Sequence, residues 1–107
     1  MPLPAEVSVT ELATALAEGA FVVDVREPYE YVVGHVPGAV SVPMGTIPER
    51  HDDLPRDRTV YLVCEVGARS MQVAHYLEQF GFDVRNVAGG TAAWMRAGFA
   101  VAQGTRR

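Results

Sequence analysis

Short apolar runs alternate with amphipathic stretches along this chain. Val9, Leu12, Ala13 and Leu16 recur at three- and four-residue steps, which predicts a helix with one buried face. Ser8, three residues ahead of Glu11, has the form of a capping box at its start, and Gly19 is placed to close it. Phe21-Val22-Val23-Asp24-Val25 is too short and too continuously apolar for a strand with one wet face. It predicts a central strand of a parallel sheet, covered on both sides. Asp24 interrupts that run and requires a partner, with Arg26 and Arg69 as candidates.

The same rhythm continues. Pro28 to Val33 predicts a short helix with proline in its first turn, ending at Gly34, and Pro37-Gly38 makes a turn. Ala39 to Val42 is the next strand, and residues 46–53 predict a short, weakly specified helix before Leu54-Pro55. Val60 to Val63 forms a further buried strand. A helix follows with Val73, Ala74, Leu77 and Phe80 on one face and Gly81 as its stop, leaving His75 off that stripe. Asp83 to Val87 is the last strand, and Gly89-Gly90 leads to a helix through Trp94 that ends at Gly98. Trp94, Tyr76, Phe80 and Phe82 read as core or near-core packing. Residues 102–107 have little to anchor them and are expected to be mobile. Strands alternating with helices imply an α/β architecture with a mostly parallel sheet. In such sheets ligands bind beyond the carboxyl ends of the strands.

Composition narrows this picture. A chain of 107 residues, 49% hydrophobic, is read as one domain able to bury its own core. One cysteine cannot form an internal disulfide, so a reducing cytoplasm is the expected setting. The N-terminus has no signal-peptide pattern and no run reaches membrane-spanning length, so no membrane partner is expected. A net charge of −4 argues against a nucleic-acid surface. All nine basic residues are arginine, which hints at a GC-rich bacterial source. No cysteine pair or histidine–carboxylate cluster has ligand spacing, and no metal or other cofactor is expected. His51 has no motif around it.

Candidate chemistry converges on Cys64. It follows the apolar run Thr59 to Val63 and precedes Glu65-Val66-Gly67-Ala68-Arg69, at the start of a helix. A thiol between a strand and a helix feels the positive end of the helix dipole and unpaired N–H groups, which favour thiolate. Gly67 permits backbone angles that turn several N–H groups inward as an anion nest, and Arg69 adds a positive charge. Such a cradle can hold the outer sulfur of a persulfide, and sulfur transfer through it needs no general base.

The segment Cys64-Glu65-Val66-Gly67-Ala68-Arg69-Ser70 resembles the C-x-x-G-x-R-S loop of rhodanese-like sulfurtransferase domains. Val23-Asp24-Val25-Arg26-Glu27, Glu30-Tyr31, Gly34-His35-Val36-Pro37-Gly38-Ala39 and Val87-Ala88-Gly89-Gly90, with Trp94 beyond, resemble that family's other signatures in the same order. The similarity runs from about Glu6 to Val101. It implies a three-layer α/β/α rhodanese-like fold with a mostly parallel sheet of about five strands. It further implies a persulfide on Cys64, loop amides from Glu65 to Ser70 around it, and delivery of sulfur to a thiophilic acceptor. The partners implied are a small sulfur donor such as thiosulfate or a persulfide, a thiol or cyanide acceptor, or a protein persulfide at either step. A non-catalytic sulfur-binding or regulatory module is the alternative. Related phosphatases and arsenate reductases use a C-x5-R loop; here Arg69 makes the loop C-x4-R, too tight for phosphate chemistry.

Supporting roles are expected for three residues. Asp24 is read as a buried anchor bracing the site, Arg26 as a local charge pair with Glu27, and His35 as fixing the Val36-Pro37-Gly38 turn through its ring nitrogens. Glu65, directly after the nucleophile, opposes a dianionic donor and would raise the thiol pKa if its carboxylate pointed inward, with Arg69 as the group able to neutralise it.

Overall fold

The computed structural model describes residues 3–107. Five strands, β1 (Glu6–Val7), β2 (Phe21–Asp24), β3 (Val40–Ser41), β4 (Val60–Val63) and β5 (Val84–Val87), form one sheet in the order β1-β5-β4-β2-β3, and every pairing is parallel. The helices are α1 (Val9–Ala17), α2 (Pro28–Val33), α3 (Ile47–Arg50), α4 (Ala68–Glu78) and α5 (Gly90–Arg96). Two 3₁₀ turns, Met44–Thr46 and His51–Asp53, flank α3, so the weakly specified segment is three short pieces rather than one helix.

The central strands are apolar on both faces because both faces are covered. On β2, Val22 joins the cluster of Leu12, Tyr31 and Trp94, while Val23 joins Leu77, Ile47 and Phe82 on the other side. On β4, Val63 belongs to the first cluster and Leu62 to the second. This period of two splits one unbroken apolar run between two layers. Leu77 is fully buried, and truncating such a side chain to alanine typically costs about 2–5 kcal/mol. Ser8 caps α1 in a complete capping box with Glu11, and Gly19 follows it at φ 87°, as the sequence indicates.

Three expectations are corrected. The short β1 was not anticipated; it pairs with β5 through Asn86 N–H to Ala5 O and Ala88 N–H to Val7 O, both 2.8 Å. Phe80 lies outside the core stripe of α4, 42% exposed, with its ring against His51. Residues 102–107 are tied down instead of loose. Ala102 and His35 exchange two backbone hydrogen bonds of 2.9 Å, and Gly104 N–H donates to Val32 O at 2.9 Å. The chain end thereby straps the C-terminal end of α2.

Candidate active site

Cys64 stands just past the carboxyl end of β4, and α4 begins four residues later. Gly67, the residue before α4, has φ 104°, a left-handed conformation that turns its N–H back toward the sulfur. That N–H donates to Cys64 Sγ at 3.1 Å. The Ser70 hydroxyl lies 3.2 Å from Sγ and 2.5 Å from Asn86 Oδ1. Burial raises the Cys64 pKa. Hydrogen bonds from the Ser70 hydroxyl and from the backbone N–H groups of Ser70, Gly67 and Val66 outweigh it, so the thiol is held below its ordinary value.

The loop's carbonyls are held from below. Thr91 N–H and hydroxyl donate to Cys64 O at 2.8 and 3.0 Å, and Ala92 N–H donates to Glu65 O at 3.0 Å. A Cβ on Gly90 would fall 2.5 Å from Cys64 O and 2.6 Å from Glu65 O, so only glycine allows α5 this close.

Arg69 lies in the loop, but its guanidinium is bound to Glu30 by bonds of 2.8 and 2.9 Å. The Arg69 pairing, with a further contribution from Glu27 N–H, holds the Glu30 carboxyl down at about 2. Arg26 is buried and donates to both oxygens of Asp24, to Gly34 O at 2.7 Å and to Glu65 Oε1 at 3.2 Å. Burial disfavours its charge, yet Asp24 and the other nearby carboxylates more than restore it, and its pKa is raised.

Cys64, Glu65, Val66 and Gly67 thus form a loop that runs into Ala68, Arg69 and Ser70 in the first turn of α4, and Asp24, at the end of β2, holds Arg26, which reaches the loop at Glu65. Asp24 takes Arg26, not Arg69, as its partner. The expected Arg26–Glu27 pair is not formed: Arg26 turns into the protein toward Asp24, and Glu27, exposed, donates its backbone N–H to Glu30 Oε1 at 3.0 Å. Glu65 takes Arg26, not Arg69, as its partner, and shares that guanidinium with Asp24. His35 does not fix the Val36-Pro37-Gly38 turn with its ring. Its Nδ1 meets Tyr31 O at 2.7 Å and its Nε2 meets Arg106 O at 2.6 Å, while the ring stacks on Tyr31 with centroids 3.6 Å apart. His75 is exposed, as its helix position indicates.

Asn86, Thr91, Gly90 and Glu30 were not singled out from the sequence as parts of the site. Asn86 and Thr91 are fully buried polar residues, Asn86 bonded to Ser70, Glu6 and Gly67 O and Thr91 to Cys64 O. The signal that points to Asn86 is an uncharged polar side chain between Val84 and Val87 in a strand, a position that needs hydrogen-bond partners when buried. Among the described residues no group of three or more His, Cys, Asp and Glu side chains is arranged to hold a metal ion, and no helix is long and apolar enough to cross a membrane.

Residues 8–97 match the family model of the rhodanese-like domain. A sulfurtransferase of Allochromatium vinosum is 40% identical over 99 residues, covering 90% of this chain and 92% of that protein. The crystal structure of a rhodanese-related protein from Thermoplasma volcanium superposes with a TM-score of 0.87 at 28% identity, covering 92% of this chain and 97% of the other. That of a rhodanese-like domain protein from Staphylococcus aureus gives 0.80 at 38% identity, over 84% and 90%.

Proposed function

The chain belongs to the rhodanese-like domain family of sulfurtransferases, and from that premise we propose that it moves sulfane sulfur through a persulfide on Cys64. The observation that carries this reading is the environment of Cys64 Sγ, a buried thiol with hydrogen-bond donors from Gly67 and Ser70 and a lowered pKa. Donors fixed before reaction stabilise a sulfur anion without reorganising. The same donors are placed to spread charge on a second sulfur bonded to Sγ. Thiolate attacks the donor's sulfane sulfur, and an outside thiol or cyanide then removes it.

The loop also speaks to what the site does not accept. With Arg69 committed to Glu30, the one guanidinium of the loop is not free to clamp a tetrahedral oxyanion. Phosphate or arsenate chemistry is therefore disfavoured.

The test is the intact mass of the protein after incubation with sulfane-sulfur donors and then with cyanide. A gain of one sulfur, about 32 Da, that cyanide removes as thiocyanate is the expected result. The Cys64→Ser variant should stay folded and gain nothing. Sulfur transfer by that variant, or no gain from any donor in the parent protein, overturns the mechanism.

A further inference from the structure

Every guanidinium beside the thiol loop is already matched to a carboxylate. Arg69 is bound by Glu30, and Arg26 by Asp24 and Glu65. Three carboxylates therefore face two guanidiniums, and thiolate formation on Cys64 adds a further negative charge. Next to this cluster, Tyr29, Val33 and Met95 join Arg26, Glu30 and Glu65 around a cavity of about 340 Å³. Tyr29 and Val33 are 72% and 71% exposed, and Met95 42%, an apolar wall facing solvent. Glu65 Oε1 is held by Arg26, and its side chain is 48% exposed at the cavity edge.

A site with surplus negative charge and an apolar wall is poorly matched to a small inorganic dianion and well matched to an organic group without one. We propose that the sulfur donor is a low-molecular-weight organic persulfide whose carbon portion lies in this cavity, with Glu30 and Glu65 selecting against added negative charge. This rests on the persulfide reading of Cys64. In the step, the Cys64 thiolate attacks the outer sulfur of R–S–SH. A new S–S bond forms at Cys64, the donor's S–S bond breaks, and its electron pair leaves on RS⁻. Cys64 becomes the persulfide, and no oxidant is consumed.

The experiment compares kcat/KM for two donors of similar size, the persulfides of cysteamine and of 3-mercaptopropionate, with thiosulfate as a third. At low ionic strength the cysteamine donor should lead the carboxylate donor by about fivefold or more, as expected for charges near a protein surface. Added salt should raise the rate with thiosulfate, because screening weakens repulsion. Glu65→Gln should raise kcat/KM for thiosulfate and narrow the gap between the two persulfides. Equal rates for both persulfides, a lead for the carboxylate donor, or a thiosulfate rate that falls with salt would each overturn the selectivity while leaving sulfur on Cys64. Absence of added sulfur from all three donors, read by intact mass, would instead remove the persulfide reading and this inference with it.

Discussion

Glu30 grips Arg69 through two hydrogen bonds, Nη1 to Oε1 at 2.8 Å and Nη2 to Oε2 at 2.9 Å, across 39 positions of sequence. The pair joins α2 to the thiol loop and consumes the charge that the loop's arginine would otherwise present.

This pair has a definite pH signature. The Glu30 pKa is lowered from 4.5 to about 2, so its stabilisation is fully present above pH 4.5 and is lost as pH falls through about 2. Because both side chains are partly solvated, the expected size is only about 1 kcal/mol. Urea unfolding of the parent and of Glu30→Gln should show a gap of that order at pH 6 that closes toward pH 2. A gap independent of pH would show that the carboxylate charge is not what holds Arg69.

Ser70→Ala removes the hydroxyl that lies 3.2 Å from the sulfur. The thiol pKa should rise, since the Ser70 hydroxyl is the leading contribution that lowers it against the effect of burial. Alkylation of Cys64 by iodoacetamide at pH 7 should slow by about threefold or more, the scale of one hydrogen bond to an anion. An unchanged rate would assign the stabilisation to the amides alone.

Arg26→Met strands Asp24, which is fully buried and takes the Arg26 guanidinium on both oxygens. Removing one partner of a buried pair costs about 3–5 kcal/mol. Chemical denaturation should show that loss, and Asp24→Asn in the same chain should recover part of it. If the double variant is no more stable than the single, Asp24 is satisfied by other groups.

Gly90→Ala places a methyl group into Cys64 O and Glu65 O at a residue with φ 59°. Overpacking of this kind costs about 1–3 kcal/mol, and the shifted loop should also slow Cys64 alkylation. Gly19→Ala is the control: its φ is 87°, with nothing within 4 Å of the added Cβ, so it should show backbone strain of about 1–2 kcal/mol without touching thiol reactivity.

Deleting residues 102–107 breaks the strap over α2. Loss of the Ala102 and Gly104 backbone bonds, and of the Arg106 carbonyl on His35, should lower stability by about 1–3 kcal/mol. Hydrogen exchange at the amide of His35, which donates to Ala102 O, should accelerate most. Unaltered exchange there would mean the strap contributes nothing.

What could be read from the sequence divides along physical lines. The strands β2 and β4 and the helix α1 were legible because burial imposes a period on side chains and because Ser8 and Glu11 carry the cap in their own chemistry. The clustering of Cys64, Gly67, Arg69 and Ser70 at a strand–helix junction was legible because their spacing is local in the chain. The two-residue β1, and the Ala102 and Gly104 bonds of the strap, are made by the backbone, which leaves no pattern in side chains. Charge pairing was the other blind spot. Arg69 and Arg26 each had several carboxylates in range by topology, and only the path of α2 decides that Glu30 takes one and Asp24 with Glu65 the other.

A peptide unit is a lever, since pinning its oxygen on one side aims its hydrogen to the other. Thr91 and Ala92 pin the oxygens of Cys64 and Glu65, and the peptide hydrogens that follow them are thereby aimed away from α5. The posture of the loop around the sulfur is therefore set partly 27 positions downstream, at Thr91 in α5. A substitution there would look like a change in chemistry when assayed and like a change in packing when seen, and it would be both.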